Sequence, residues 1–218
     1  MKKSKVEAAE TRKRIVEVAA QAFKSNGIRA TGVAEIMAAA GLTHGAFYRH
    51  FESKEQLVAE ACAVSMSTLV ESTGAAAQEG DESFLAHLEN FLSTDCHDDG
   101  LAGCPFVAMG SELARADLDA RRAASAGFRG LIDIIAGRDQ ARDAASARAD
   151  AIFTVSSMIG AVTMARIVDD PALSTQILDL ARERLANLPA RPSRKPHGSR
   201  HKAQADAATA DSASRDRE

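Results

Sequence analysis

Within the first sixty residues the apolar pattern takes a helical period repeatedly and is cut twice by glycine, which leaves room only for short helices meeting at tight turns. Ile15, Val18, Ala19, Ala22 and Phe23 fall at i, i+3, i+4, i+7 and i+8, with Arg12, Arg14, Glu17 and Lys24 off that stripe. Asn26-Gly27 stops this helix. Thr31 is expected to cap a second, short helix carrying Val33, Ile36, Met37 and Ala40, which Gly41 ends. Thr43 is expected to cap a third helix running through Phe51. Ser53 followed by Gln56 has capping-box spacing and opens a long fourth helix with Leu57, Ala61, Val64, Thr68 and Leu69 on its stripe.

The remainder repeats the helical signal. Phe84, Leu88 and Phe91 mark one amphipathic segment, and Pro105 suits the first position of another that continues to Ala116. Asp117 or Asp119 starts the next, which ends near Gly137. A long helix is expected from about Asp139 to Val168, and Pro171 opens the last, through Leu173, Ile177, Leu180 and Leu188. The expected fold class is therefore all-α with about nine helices and no strand. Only 14 glycines, 5 prolines, one Tyr and no Trp in 218 residues argue against a β-sandwich with its turn punctuation. Residues 189–218 lack apolar periodicity and are expected to be a disordered tail.

Ala151 to Val168 is the longest apolar stretch, but Thr154, Ser156, Ser157, Thr163 and Arg166 interrupt it, so it reads as a buried helix of a soluble protein and no membrane is implied. Cys62, Cys96 and Cys104 are too few and too unevenly spaced for a disulfide framework, and the basic N-terminus runs into Glu7 and Glu10 without a secretory pattern. A cytoplasmic protein is expected. The net charge of −3 argues by itself against a polyanionic partner. Divided along the chain it does not: residues 1–60 carry +3, 61–190 carry −9 and 191–218 carry +3.

Three short helices joined at Gly41-Leu42-Thr43 meet the requirements of a helix-turn-helix, whose second element braces on the DNA backbone while the third enters the major groove. In the third, Phe47 and Phe51 stand four apart for packing inward, leaving Tyr48, Arg49 and His50 outward. The run Ile15, Ala19, Phe23, Gly27, Thr31, Val33, Ile36, Ala40-Gly41-Leu42, Gly45-Ala46-Phe47-Tyr48, His50-Phe51 and Ser53-Lys54-Glu55 resembles the TetR family of bacterial transcriptional repressors. The resemblance covers Arg14 to Leu57. It implies a DNA-binding domain over residues 1–52, a ligand-sensing and dimerisation domain over 53–188, and a homodimer on a pseudo-palindromic operator. It further implies that Thr31, Tyr48, His50 and Lys54 hold phosphates and that Thr43, His44 and Gly45 read bases. Arg49 is a weaker candidate for DNA contact, as are Arg29 and the leader Lys2, Lys3 and Lys5.

Outside that head the chain has one chemically suggestive residue. In Gly103-Cys104-Pro105 the proline makes Cys104 a helix N-cap, where free N–H groups and the helix dipole favour a thiolate. The stretch to Glu112 is similar to a branch of the family that includes repressors of N-ethylmaleimide reductase genes, which makes Cys104 a candidate electrophile sensor. Cys96, His97 and Cys104 form a weak zinc pattern without a fourth ligand. Phe84, His87, Phe91, Met109, Glu112, Phe128 and Phe153 could line a ligand cavity, though their spacing equally fits core packing. No nucleotide loop or nucleophile elbow occurs, so no enzyme and no cofactor is expected. The alternatives are a cysteine-based redox protein or enzyme using Cys104 with His97, and a TetR-type activator.

Overall fold

The computed structural model describes residues 5–92, 103–139 and 142–186. Among them are eight α-helices and one 3-10 helix, and no strand: α1 (Lys5–Asn26), α2 (Val33–Ala39), η1 (His44–Arg49), α3 (Lys54–Glu79), α4 (Asp81–Phe91), α5 (Pro105–Leu113), α6 (Leu118–Ala136), α7 (Ala144–Ile167) and α8 (Pro171–Ala186). Cys96, His97, Lys2, Lys3 and the expected tail at 189–218 lie outside the described residues.

The helix boundaries follow local chemistry in most places. Gly27 and Gly41 take φ of 85° and 71°, a conformation that costs an L side chain energy and lets the chain reverse after α1 and α2. Ser53 caps α3 by accepting from the Gln56 N–H at 3.1 Å, while the Gln56 side chain accepts from the Glu52 N–H at 2.7 Å. Asp117 caps α6 through the Ala120 N–H, and Pro105 occupies the first turn of α5.

Three expectations are corrected. Thr31 does not cap α2; Gly32 holds that position and the Thr31 hydroxyl donates to the Gly27 carbonyl at 2.7 Å. The third element is not an α-helix through Phe51 but a 3-10 turn ending at Arg49, with Thr43 at its N-cap making no side-chain bond. The helix expected from about Asp139 starts later, because Asp143 accepts from the Ala145 and Ser146 N–H groups and sets the first turn of α7 there.

Packing joins head and body without a seam. One buried cluster runs from Ile15, Phe23, Ile36, Met37, Phe47 and Phe51 through Leu57, Cys62 and Met66 to Met109, Leu113 and Ala120. The first turns of α3 thus belong to the core of the head. A second cluster gathers Phe84, Leu88, Leu92, Met158, Val162, Ala165 and Leu178 from α4, α7 and α8. Between them α3 and α6 approach closely. A Cβ on Gly127 would stand 2.6 Å from the Met66 Cβ, and one on Gly130 would stand 2.9 Å from the Val70 Cγ2, so only glycine permits this contact.

Candidate nucleic-acid interface and body cavity

The reading element is built from the inside outward. Phe47 and Phe51, 1% and 2% exposed, stack at 5.5 Å between centroids and fasten η1 to the core. The Arg12 guanidinium lies 4.5 Å from the Phe51 ring, pairs with Glu60 on α3, and donates from Nε to the His50 carbonyl. That network holds the end of η1 from two helices at once. With three residues per turn, burying Phe47 leaves the other faces of η1 to solvent. Thr43, His44, Gly45, Tyr48 and Arg49 are all exposed, and Tyr48 is 70% exposed with its ring edge-on to Phe47 and His44.

The remaining head candidates stand differently. His50 is half-buried beside Phe51. Lys54 spends one ammonium hydrogen on the Ile28 carbonyl at 2.8 Å, which ties the loop after α1 to the start of α3 and leaves two donors. Thr31 is wholly buried with its only hydroxyl hydrogen on Gly27, so a direct phosphate contact, expected from the resemblance, is not available to it. Its side chain shapes the loop instead.

Glu112, one of the residues whose spacing fits either a cavity or the core, is found at the junction of body and head. From the C-terminal half of α5 its carboxylate accepts from the Ile28 N–H at 2.8 Å and the Arg29 N–H at 2.7 Å. Gly27 lies beneath it, where a Cβ would come within 3.0 Å of the carboxylate. No local pattern could have shown this bond, which spans 84 positions of sequence.

The opposite end of α5 faces a cavity. A small space of about 40 Å³ is lined by Leu69, Thr73, His87, Phe91, Cys104, Leu131, Val155, Met158 and Ile159 among others, and an adjoining cleft of about 170 Å³ adds Ser72, Asn90, Val107 and Arg166. The two share Leu69, His87, Phe91 and Cys104. Of the residues proposed from sequence, His87 and Phe91 reach this cavity. Phe84 and Met109 are core, Phe128 packs edge-on against Phe106, and Phe153 is 74% exposed on the outside of α7.

Cys104 occupies the expected N-cap position, but the electronic expectation fails. It is 7% exposed, its thiol makes no capping hydrogen bond, and burial pushes its pKa up. The Val107 and Phe106 amides and Arg166 act the other way without prevailing. Desolvation of an anion outweighs the helix N-terminus here. Cys62 is likewise buried, with its thiol raised to about 11. No group of three His, Cys, Asp or Glu suited to a metal occurs among the described residues.

The body also presents an unusual outer face. α7 is long and apolar enough to cross a membrane, yet one face, with Ala151, Val155, Met158, Val162 and Ala165, is buried in the bundle. Along α7, Val155 and Val162 point inward, Ile159 lines the cavity, and Ile152 and Ile167 are exposed. Phe153, Ser157, Gly160, Met164 and Ile167 share the exposed side at alternating spacings of four and three, the spacing of a helix-pairing seam.

Residues 15–61 match the family described as bacterial regulatory proteins, tetR family, and residues 81–182 match the C-terminal domain of LmrA/YxaF-like transcriptional regulators. The chain belongs to the TetR family. Among curated relatives, the transcriptional regulator AcrR of Shigella flexneri is 43% identical over 70 residues, covering 32% of this chain and 33% of AcrR. The transcriptional repressor BepR of Brucella suis is 46% identical over 54 residues, 25% of this chain and 26% of BepR. The matched segment thus spans a third or less of these relatives. Solved structures extend the likeness of fold to the body. Reduced NemR of E. coli superposes with a TM-score of 0.69 at 21% identity, over 85% of this chain and 100% of NemR. A TetR regulator from Chloroflexus aurantiacus gives 0.64 at 27% identity, over 84% and 97%.

Proposed function

We propose that this TetR-family chain is a homodimeric, sequence-specific DNA-binding transcriptional repressor, acting in the cytoplasm on a pseudo-palindromic operator and released by a small molecule in the body cavity. The observation that carries the reading is the exposed row Thr43, His44, Gly45, Tyr48 and Arg49 on a turn whose opposite side is anchored by Phe47 and Phe51. Such a row is rigid enough to be carried into a groove as a unit. Thr43, His44 and Gly45 read base edges, while Tyr48, Arg49, His50 and the free donors of Lys54 engage phosphates. Residues 1–52 supply the head and 53–188 the sensing and dimerising body. The repressor reading draws on the names of relatives such as BepR; an activator would use the same contacts.

Dimerisation uses the exposed side of α7 with Leu173 and Leu180 of α8, which together leave a hydrophobic surface uncovered. A two-fold axis there sets two heads at a fixed separation, and an effector acts by favouring a different separation. α5 is the shortest link between the sites, with Cys104 at the cavity and Glu112 on the head loop. Relief by cysteine modification has no support from the buried, unactivated thiol of Cys104.

The test is selection of bound sequences from random duplex DNA, followed by footprinting on the selected site. Tyr48→Ala should remain dimeric and lose about tenfold or more in affinity with its salt dependence unchanged, because a neutral hydroxyl on a phosphate displaces no counterion. His44→Ala should relax the preference at one position of each half-site. Wild-type affinity and selectivity in both variants would remove the proposed interface.

A further inference from the structure

The reading element is a weak helix on its own terms. η1 is six residues of 3-10 turn, a form with poorer hydrogen-bond geometry that seldom runs longer, and Thr43 at its N-cap adds no side-chain bond. Its last turn closes on a shared acceptor, since the His50 and Phe51 N–H groups both donate to the Phe47 carbonyl, at 2.9 and 3.1 Å. At the next carbonyl a side chain from outside takes over: Nε of Arg12 on α1 donates to the His50 oxygen at 3.2 Å, across 38 positions of sequence. The Arg12 fork is itself fixed, because Nη1 and Nη2 each donate to one carboxylate oxygen of Glu60 on α3 and the guanidinium lies 4.5 Å from the Phe51 ring centroid. Carboxylate, carbonyl and ring hold the group by both ends and a face. A lysine ammonium has no rigid fork and cannot reproduce the arrangement.

The Arg12 and Glu60 side chains are 34% and 31% exposed, where an ion pair adds little stability, so what the pair supplies is orientation. We infer that Arg12, oriented by Glu60, is a positioning residue of the DNA-reading element: it fixes the C-terminal end of η1, and through it Tyr48 and His50, without itself touching DNA. This inference rests on the reading of η1 as that element. Three of the five guanidinium hydrogens are committed within the protein and the charge is matched by Glu60, which leaves little attraction for a phosphate. The chain also carries its own probe. Tyr48 is the one tyrosine in the sequence and there is no Trp, so tyrosine emission reports the reading element alone. Its ring stands edge-on to Phe47 at 5.2 Å between centroids, beside the end that Arg12 holds.

The experiment measures Tyr48 fluorescence anisotropy on the full chain without DNA, and then affinity for the selected operator, in wild type, Glu60→Gln, Arg12→Lys and a control, Val16→Ala, which trims the buried face of α1 and leaves the Arg12 contacts in place. Glu60→Gln should lower the anisotropy and weaken operator binding about three- to tenfold, the cost of ordering one or two loosened side chains on binding, with helicity retained. The sign of the change is decisive. If the pair acted only as charge, removing an acidic group from the head and releasing Arg12 toward a phosphate would strengthen binding to a polyanion. Arg12→Lys keeps the charge and should behave as Glu60→Gln does, while Val16→Ala should keep the wild-type anisotropy and affinity. Unchanged anisotropy in both pair variants, operator affinity in them equal to or above that of wild type, or the same loosening in Val16→Ala would overturn the inference. A wild-type protein that selects no operator defeats the DNA-reading assignment instead, and the DNA-free anisotropy still decides whether Arg12 holds η1.

Discussion

Cys104 and Thr31 illustrate how far a residue's role depends on its surroundings. Both sit where a sequence pattern assigns them chemistry, at a helix N-cap and before a short helix, and both are sealed by the fold. An N-terminal dipole is worth at most a couple of kcal/mol, less than the cost of placing an unsolvated thiolate in an apolar cavity. Cys104 should therefore be labelled by N-ethylmaleimide more slowly in the native protein than in denaturant, since burial both hides the thiol and disfavours its thiolate. Peptide mass spectrometry resolves it from the other cysteines. Cys104→Ala should keep operator affinity before and after treatment, and rapid labelling of native Cys104 with loss of DNA binding would restore the sensor reading. Tyr48 and His44 are the opposite case: their exposure was readable from the neighbouring Phe47 and Phe51, which can face only one way.

At the scale of elements, α5 was placed correctly by Pro105 and its function was not foreseen. Its nine residues reach from the cavity wall at Cys104 to the head loop held by Glu112. Two charge-assisted bonds to backbone N–H groups, partly exposed to solvent, contribute roughly 1 to 3 kcal/mol. Glu112→Ala should lower stability by about that much and accelerate amide exchange at Ile28 and Arg29, with exchange in α7 and α8 unchanged. Glu112→Gln, which keeps one acceptor oxygen, should fall between. Unchanged exchange at both amides would show that α5 does not secure the head. The helices themselves were legible because periodicity and caps are local, as Ser53 with Gln56 and Asp117 with Ala120 show. The start of α7 at Asp143 and the 3-10 form of η1 were not, since burial of Phe47 in the core of the head, where η1 packs on α2, decides the turn and no residue within it does.

For the whole molecule, the proposed seam is the exposed side of α7 with Phe153, Gly160, Met164 and Ile167. If a second copy covers it, Phe153→Glu should give a monomer by sedimentation with helicity retained, and half-site affinity should replace the tighter two-headed binding, a loss of about a hundredfold or more. A dimer that persists in this variant would move the interface elsewhere. The sequence by itself determined the class of fold, the position of the turn in the head and the outward set of the reading residues, because glycine conformation, helical period and capping act over a few residues. Only the tertiary structure decided that Cys104 is buried with its pKa pushed up, that Glu112 bonds to the head loop, and that α7 has one face inside and one outside. Each of these depends on solvent exclusion or on partners from distant helices, and neither quantity exists until the chain has packed.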